Sequence, residues 1–217
     1  MMELNRVSSH LVALATGGME LGALTAMEFG FRERELVLDI FEMVSGLRMN
    51  SAYVRPGGVA QDLPEDGVQK IRDTLPLLRK RLKDTVDLLV DNSIWMGRTV
   101  GIGYLDLTGC MALGISGPVL RATGLPHDLR KSQPYECYAE MDFDIPIGKN
   151  GDCYDRYCNR MEEMRQSVRI MKQCIAKLRA PEGQGAVVVD DNKIAPPRRS
   201  EMKRSMEALI HHFKLYT

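Results

Sequence analysis

Apolar residues recur at helical spacing along most of this 217-residue chain. Within residues 3–27 one stripe consists of Leu4, Val7, Leu11, Leu14, Gly18 and Leu21. Positions three and four apart share one face of a helix, so the stripe predicts a helix that buries this face. The same spacing predicts four further helices, which cover about residues 32–45, 65–91, 152–179 and 200–213. Gly30 is predicted to separate the first two helices, and Pro76 to kink the third.

The segments between these helices are less regular. Residues 45–64 predict a long loop, in which Pro56 and Gly57 suit the two central positions of a type II turn. Residues 141–145 alternate apolar and acidic side chains, as a half-exposed strand does, and residues 186–189 predict a second short strand. The sheet content is therefore expected to be small.

Together these elements predict a mainly α protein, a helical bundle with long antiparallel helices and one or two short β-strands. We expect a single helical domain over residues 1–217, with residues 93–150 as an irregular, glycine-rich insertion within it. Both ends of the chain adjoin amphipathic helices directly, which indicates a piece of a longer protein.

Composition narrows the class of protein. The chain is 44% hydrophobic, and 29 basic residues balance 29 acidic residues, so it can form a core and has no basic tract for nucleic acid. The apolar run from Leu11 to Met27 is interrupted by Glu20 and falls short of a membrane span. The first residues show no signal-peptide pattern. Five cysteines without a C-x-x-C pair fit free thiols in a reducing compartment.

Glu20 is the only ionisable residue in that apolar run. On a helix it lies beside Thr16 and opposite the main stripe, on a second face that is also apolar. Removing an unpaired carboxylate from water costs several kcal/mol. Two interpretations remain open: a helix end or wet crevice, and a buried acid that handles protons.

Other motifs for self-contained chemistry are missing from the sequence. It has no dinucleotide or phosphate-binding glycine motif, no H-E-x-x-H and no G-x-S-x-G. Adjacent His211 and His212 point about 100° apart on a helix and are not predicted to share a metal. Arg130 and Lys131, beside a proline-containing loop, are interpreted either as docking contacts or as a solvated loop.

Six blocks of sequence, spread over the whole chain, resemble the 49 kDa-type family of respiratory complex I, also called its D subunit, which is akin to the large subunit of nickel-iron hydrogenases. The blocks are Ser-Gly-Leu-Arg-Met-Asn-Ser-Ala-Tyr-Val-Arg-Pro-Gly-Gly-Val with Gln-Asp-Leu-Pro in residues 45–64, Leu-Arg-Lys-Ser-Gln-Pro-Tyr at 129–135, Phe-Asp-Ile-Pro-Ile-Gly at 143–148, Gly-Asp-Cys-Tyr-Asp-Arg at 151–156, Glu-Glu-Met-Arg-Gln-Ser at 162–167, and the C-terminal segment 205–217. The resemblance implies the central core of a hydrogenase-large-subunit-like fold and a place at the quinone site of NADH:quinone oxidoreductase.

The resemblance also implies roles for single residues. Glu20 stands where the family has an aspartate that pairs with a quinone-site histidine and is implicated in supplying protons, and Thr16 where a threonine lines the quinone chamber. Arg55, in the Arg-Pro-Gly-Gly-Val turn, corresponds to an arginine near the terminal iron–sulfur cluster of the neighbouring B subunit. At Asn50 many relatives carry a histidine that titrates with that cluster, and asparagine cannot titrate.

The implied complex passes electrons from NADH to quinone and couples this to proton translocation. In it the chain binds no cofactor itself. NADH, FMN and iron–sulfur clusters belong to partner subunits, quinone binds at a shared site, and the expected neighbours are the B, C and H subunits. The expected location is peripheral, on the cytoplasmic side of a bacterial plasma membrane or the matrix side in mitochondria. A fragment of a membrane-bound hydrogenase large subunit, or of a related donor:quinone complex, and a structural helical scaffold remain alternatives.

Overall fold

In the computed structural model, which describes residues 1–183 and 185–216, the chain is mostly helical. The helices are α1 (Met2–Glu20), α2 (Leu24–Ser45), α3 (Gly67–Leu89), α4 (Ser93–Thr99), α5 (Leu107–Ala112), α6 (Gly117–Arg121), α7 (Leu129–Ser132), α8 (Cys153–Arg179), α9 (Arg199–Met202) and α10 (Met206–Tyr216). Strands β1 (Val54–Arg55) and β2 (Gly58–Val59) pair antiparallel, and short 3₁₀ helices span Tyr138–Glu140 and Pro181–Gly183. The predicted mainly α class with short strands is confirmed.

The chain divides into two compact units, each described separately below. The first comprises Met1–Leu38 and Ile71–Ala176, and the second comprises Asp39–Lys70 and Lys177–Thr217. The expectation of a single helical domain stays a prediction. The predicted insertion at residues 93–150 contains α4 to α7, four short helices joined by loops. None of the helices in the described part of the chain is long and apolar enough to span a membrane.

The prediction of one helix over residues 3–27 is wrong, because α1 ends at Glu20. Gly22 has φ 90°, and the amides of Gly22 and Ala23 donate to the carbonyls of Met19 and Gly18 at 2.9 and 2.8 Å. These two bonds form a Schellman motif, in which a left-handed glycine satisfies the last carbonyls of a helix. The apolar run continues through this stop, so hydrophobic periodicity alone does not mark it.

Gly30 was predicted to separate two helices, and it lies inside α2 instead. A Cβ at this position would come within 2.7 Å of the Ala15 Cβ and 3.2 Å of the Leu11 carbonyl oxygen. Gly18 approaches Ala26 in the same way. Small residues therefore let α1 and α2 of the first unit pack backbone against backbone, and this contact explains the glycine better than a helix break does.

The core of the first unit follows the predicted stripes. In α1 the predicted stripe is buried at Leu4, Val7, Leu11, Leu14 and Gly18. In α3 they are Leu75, Leu78, Leu82 and Leu89, and the helix continues through Pro76. In α8 the stripe is buried at Tyr157, Met161, Met164, Val168, Met171 and Ile175. Predicted and observed bounds of α3 and α8 agree to within two residues at each end.

The strand predicted at residues 141–145 is absent, although its alternation is present. Met141 and Phe143 are buried, and Asp142 and Asp144 point to solvent. The amides of the two aspartates bond to the side-chain oxygens of Gln173 and Gln166 on α8, at 2.9 and 3.1 Å. Glutamine side chains thus replace a partner strand, so the segment is extended but belongs to no sheet.

In the second unit the β1–β2 hairpin carries the turn predicted at Pro56–Gly57. Gly57 has φ 83°, the value that a type II turn requires at its third position. The segment around Val188 lies against β2, where Val59 N donates to Val187 O at 3.0 Å and Gly58 pairs with Val188 in one bridge. The strand predicted at residues 186–189 is present as this single bridge.

The last predicted helix, over residues 200–213, is split into α9 and α10. Ser205 precedes α10, and its hydroxyl accepts the Ala208 amide at 3.3 Å, as a helix N-cap does. Ala208 is buried, whereas Met206, Ile210 and Phe213 of the predicted apolar face are exposed.

Candidate functional site

The candidate residues of α1 lie on its exposed side. Glu20 is exposed at the last position of the helix, and Thr16, one turn earlier, is half-buried. The Thr16 hydroxyl donates to the Val12 carbonyl at 2.8 Å, so its oxygen remains available only as an acceptor. In this chain Glu20 is a helix-end acid in contact with solvent, and its role in handling protons stays a prediction.

One cation bonds to the residue that directly follows Glu20. Arg98, on α4, donates through Nη1 to the carbonyl of Leu21, directly beyond Glu20. A guanidinium at this position complements the negative C-terminal end of the α1 dipole. The last turn of α1 itself contains no basic residue. Leu24 is 65% exposed at the start of α2, and Ile94 of α4 is 66% exposed.

Asn50 and Arg55 lie in the loop that follows α2, in the second unit. Both are exposed, and Arg55 folds back on its own loop, with Nε donating to the Ala52 carbonyl at 3.0 Å. The loop is fastened at Tyr53, which is buried, and at Gln61, whose amide bonds to the Val44 carbonyl at the end of α2 at 2.5 Å. The hairpin thus holds the Arg55 backbone while its guanidinium remains open to solvent.

The structure brings Thr16 together with Glu20 on one helix, and Asn50 together with Arg55 on one loop. Across residues 1–183 and 185–216 no three histidine, cysteine, aspartate or glutamate side chains come together as metal ligands would.

Sequence reasoning missed two buried ionic clusters in the first unit. In the first cluster Arg130, only 1% exposed, bonds to Glu3 at 3.0 and 3.1 Å and to Asp128 at 2.7 Å. Ser167 and Tyr138 donate their hydroxyls to Glu3 at 2.6 and 2.5 Å. Arg130 is therefore neither a docking contact nor a solvated loop residue.

The first cluster perturbs the ionisation of its own members. Burial alone would raise the pKa of Glu3, but the hydrogen bonds from Ser167 and Tyr138 and the charge of Arg130 outweigh it, so its pKa lies below the ordinary value. Burial opposes the charge of Asp128 as well, and hydrogen bonds from Arg130 bring that pKa below its ordinary value too. Burial, with the bond to Glu3, raises the pKa of Tyr138.

The second cluster joins α1, α6 and α8 through Glu163, which has no exposed surface. His10 Nε2 donates to one carboxylate oxygen at 2.6 Å, and Arg121 donates to the other through Nε at 2.7 Å. Burial opposes the charge of Glu163, and the bond from His10 and the charge of Arg121 outweigh it, so the pKa of Glu163 is lowered. Glu163 therefore stays ionised in the interior.

The sequence carried a weak signal for these clusters. Arg130, Glu163 and Ser167 fall inside blocks that resemble the family, and Glu163 lies among Met161, Met164 and Val168, which are core positions of α8. A charged residue on the apolar stripe of a helix predicts a buried partner, although it does not identify that partner.

Comparison with known proteins decides the family. The profile described as the 49 Kd subunit of respiratory-chain NADH dehydrogenase matches residues 20–217. The chain belongs to this family. The matched range includes Glu20, Asn50 and Arg55, so three of the four candidate residues lie within it.

Close relatives carry one name. The chain is 60% identical to the NADH-quinone oxidoreductase D subunit of Rhodococcus jostii (strain RHA1) and 58% identical to that of Nocardia farcinica (strain IFM 10152), in each case over all of this chain. It is also 60% identical, over 99% of its length, to the D subunit of Rhodopseudomonas palustris (strain BisB5). It covers 51–52% of these three proteins. The chain spans about half the length of the curated relatives it matches.

Proposed function

We propose that this chain is the central part of the quinone-site subunit of an NADH:quinone oxidoreductase. In that role α1 contributes to one wall of the cavity in which quinone is reduced, and the reaction is coupled to proton translocation. The observation that carries the proposal is the family match over residues 20–217, combined with an acid that lies exposed at the end of α1.

Glu20 suits a proton-handling role in this setting. An exposed carboxylate at a helix end can exchange protons with solvent, and a neighbouring subunit that covers it would leave it facing the cavity. Thr16 uses its hydroxyl proton on Val12, so its oxygen can accept a hydrogen bond from a quinol hydroxyl rather than donate one to a quinone carbonyl.

Asn50 and Arg55 are proposed to lie near the terminal iron–sulfur cluster of the partner B subunit. An exposed guanidinium keeps its positive charge at any physiological pH, and it would stabilise the reduced, more negative form of a nearby cluster. Asn50 can donate and accept hydrogen bonds without titrating, so we propose that redox-linked proton uptake at this position is absent here.

The proposal assigns no cofactor to this chain. Quinone binds at the shared site, while FMN, NADH and the clusters belong to partners. The neighbours are the B, C and H subunits, and the assembly places the chain peripherally, on the cytoplasmic side of the membrane in a bacterium.

The test compares Glu20→Gln with Glu20→Asp in the assembled complex. Gln keeps the size and most hydrogen bonding but removes the titrating proton, whereas Asp keeps the acid with a shorter reach. A general acid typically raises the reaction rate by about 10²–10⁴-fold. We therefore expect Gln to lower NADH:quinone turnover strongly and Asp to lower it less. The measurement is quinone reductase activity in membranes with matched assembly levels.

Glu28→Gln is the matched control, because Glu28 is another exposed glutamate of the first unit, on α2. It should leave turnover unchanged. Full activity of the Glu20→Gln complex would reject the proton-handling role, and equal losses in the Glu20 and Glu28 variants would mean that the effect is not specific to the site.

A further inference from the structure

Basic residues are concentrated in one stretch of the second unit. Residues 193–204, called the basic segment below, contain five basic residues and one acidic residue, although the whole chain balances 29 against 29. All five are exposed: Lys193, Arg198, Arg199, Lys203 and Arg204. In the part of the chain that the structure describes, none of the five forms an ion pair. The basic segment therefore presents positive charge that its own chain does not neutralise.

The backbone of the basic segment is fixed at its start. Ala195 and Pro197 are buried. Ala195 lies against Gly57 of the β1–β2 turn, where a Cβ on the glycine would come within 3.0 Å of the Ala195 Cβ. Two consecutive prolines, Pro196 and Pro197, also restrict φ directly before Arg198. The cations thus extend from an ordered backbone, so less conformational entropy is lost when a partner binds them.

Three of these cations line an open groove of about 320 Å³. The lining residues are Arg199, Ser200, Lys203 and Arg204, and no acidic residue is among them. A guanidinium can bind a carboxylate through two parallel N–H···O bonds, and an ammonium group donates up to three hydrogen bonds. The groove therefore fits an anion whose oxygens accept hydrogen bonds.

Helix α10 continues this surface with apolar side chains. Met206, Ile210 and Phe213 lie four and three positions apart, so they share one face of the helix. They are 72%, 49% and 57% exposed. Only Ser205 separates Met206 from Arg204 of the groove. A cationic groove is thus followed directly, along the chain, by an apolar stripe.

We propose that the basic segment and α10 bind an acidic segment of a partner protein. Carboxylates of that segment occupy the groove, and its apolar side chains cover the stripe formed by Met206, Ile210 and Phe213. Because a partner subunit of the complex would supply the segment, the inference rests on the proposed function.

The charges around the groove favour a protein over an anionic membrane surface. Glu201 lies between Arg199 and Lys203, and the side chain of Glu207, directly after Met206, is 83% exposed. A membrane surface of uniform negative charge would meet these carboxylates as well as the cations. A protein segment can place its acids opposite the cations alone, which is how complementary charges give specificity.

The exposure of the groove also favours a segment over a single phosphate ion. Arg199, Lys203 and Arg204 are all exposed, and one ion pair in contact with water contributes little to binding. Several acids and apolar side chains on one chain bind together, because the first contact raises the effective concentration of the others.

The first experiment titrates the folded 217-residue chain with a short fluorescein-labelled peptide in which glutamates are followed by leucines. Fluorescence anisotropy measures the affinity. We expect saturable binding that weakens as salt is added. A peptide with glutamine in place of each glutamate should bind roughly tenfold more weakly or less, because its ion pairs are lost. Equal affinity of the two peptides would overturn the proposal, and this comparison needs no variant of the chain.

A triple variant locates the binding site. Arg199→Gln, Lys203→Gln and Arg204→Gln together remove the three cations of the groove, and the affinity for the glutamate peptide should fall roughly tenfold. Circular dichroism verifies that the variant is folded. An unchanged affinity would mean that the peptide binds elsewhere.

The matched control removes three exposed cations from α3, in the first unit, through Arg79→Gln, Lys80→Gln and Lys83→Gln. Its net charge changes by the same amount, and its affinity should stay at the wild-type value. Equal losses in the two triple variants would show that only net charge matters, and this would overturn the proposal.

Two further titrations test the other occupants. Inorganic phosphate should displace the peptide only at concentrations at which chloride does so too. Vesicles of phosphatidylcholine and phosphatidylglycerol should not sediment the chain. Selective displacement by phosphate would assign the groove to a phosphate ion, and sedimentation that is lost in the groove triple variant would assign it to a membrane; either result would overturn the proposal.

The assembled complex provides the last test. A carbodiimide couples a lysine amine to a carboxylate in contact with it, so in membranes that contain the complex Lys203 should be linked to an aspartate or glutamate of another subunit. Absence of an intersubunit link at Lys203 would contradict the inference. Peptide mapping reads this link independently of Glu20. The link together with full activity of Glu20→Gln would reject only the proton-handling role, whereas no link together with an inactive Glu20→Gln complex would reject only the acidic segment.

Discussion

At the scale of single residues, the most consequential feature is that three carboxylates remain ionised inside the first unit. Glu3, Asp128 and Glu163 each have an arginine within hydrogen-bond distance, at 3.0, 2.7 and 2.6 Å. Such pairs add little net stability compared with an apolar core, but removing one partner leaves an unpaired buried charge. These ion pairs therefore contribute to stability only when every member is present and ionised.

We predict that the chain loses stability in acid. The folded-state pKa values of Glu3, Asp128 and Glu163 lie below the ordinary values, so the unfolded chain binds protons first as the pH falls. Their contribution is complete above the ordinary carboxyl pKa of about 4, and it is lost as the pH drops below that value toward the folded pKa. Urea unfolding midpoints measured between neutral pH and about pH 3 should fall steeply in the lower part of this range.

The variant Glu163→Gln tests whether the buried carboxylates cause the loss of stability in acid. At neutral pH it should reduce the free energy of unfolding by about 3–5 kcal/mol, because Arg121 is left buried without its charge partner. The remaining pH dependence should be shallower than in the wild type. Glu162→Gln is the control: the neighbouring glutamate is 38% exposed, and its pair with Arg165 should matter by less than about 1 kcal/mol. Equal pH slopes in the wild type and Glu163→Gln would contradict this account.

At the scale of elements, the packing of α1 on α2 explains where small residues stand. Gly18 and Gly30 face Ala26 and Ala15 across the contact, with no room for a methyl group at either glycine. A Cβ on Gly17, the neighbouring position of α1, would have no other atom within 4 Å. Of the two adjacent glycines in α1, only Gly18 is required for the contact with α2, and Gly17 is not.

We predict that Gly30→Ala is less stable than Gly17→Ala by about 1–3 kcal/mol, the usual cost of overpacking. Both changes gain helix propensity, up to about 1 kcal/mol, so the comparison largely removes that contribution. Urea unfolding of the two variants measures the difference. Adding Ala15→Gly to Gly30→Ala should recover part of the loss, because it removes the methyl group 2.7 Å away at some cost in helix propensity. Equal stability of the two single variants would mean that α1 and α2 do not pack this closely in solution.

At the scale of the whole molecule, the chain exposes apolar side chains in each of its units. The first unit presents Leu24, Ile94, Tyr104, Met111 and Leu113, and the second presents Met206, Ile210 and Phe213. Where such groups form a continuous patch, a partner typically covers them. This agrees with a chain that spans about half the length of its relatives.

We predict that the chain alone has no NADH:quinone turnover. Quinone binding should also be absent, because α1 offers an exposed helix end rather than an enclosed apolar cavity. Calorimetric titration with a soluble quinone analogue provides the measurement, and an activity assay with NADH and quinone accompanies it. A dissociation constant in the low micromolar range would show that this chain forms a site without its neighbours.

The sequence by itself determined the features that depend on local spacing. The apolar stripes of α3 and α8 specify helices within two residues of their observed ends, because a period of 3.6 residues is written into neighbouring positions. The Pro56–Gly57 turn follows in the same way, since proline and glycine restrict their own φ angles. Glu20 stood out as the only ionisable residue of its apolar run, with Thr16 one turn away, whereas Asn50 and Arg55 came from the family resemblance. The roles of all four remain proposals.

Tertiary structure decided what depends on distant partners. Glu3 and Arg130 are 127 positions apart, and Glu163 meets His10 across 153 positions, so no local pattern identifies either pair. Residues 141–145 alternate like a strand, yet two glutamines of α8 take the place of a neighbouring strand. Glu20 depends on both local sequence and packing. Gly22 locally ends the helix after Glu20, but whether Glu20 is covered depends on which elements pack against it. Hydrophobic periodicity predicts which residues lie on the same face of an element. Only the tertiary packing determines which residues that face contacts.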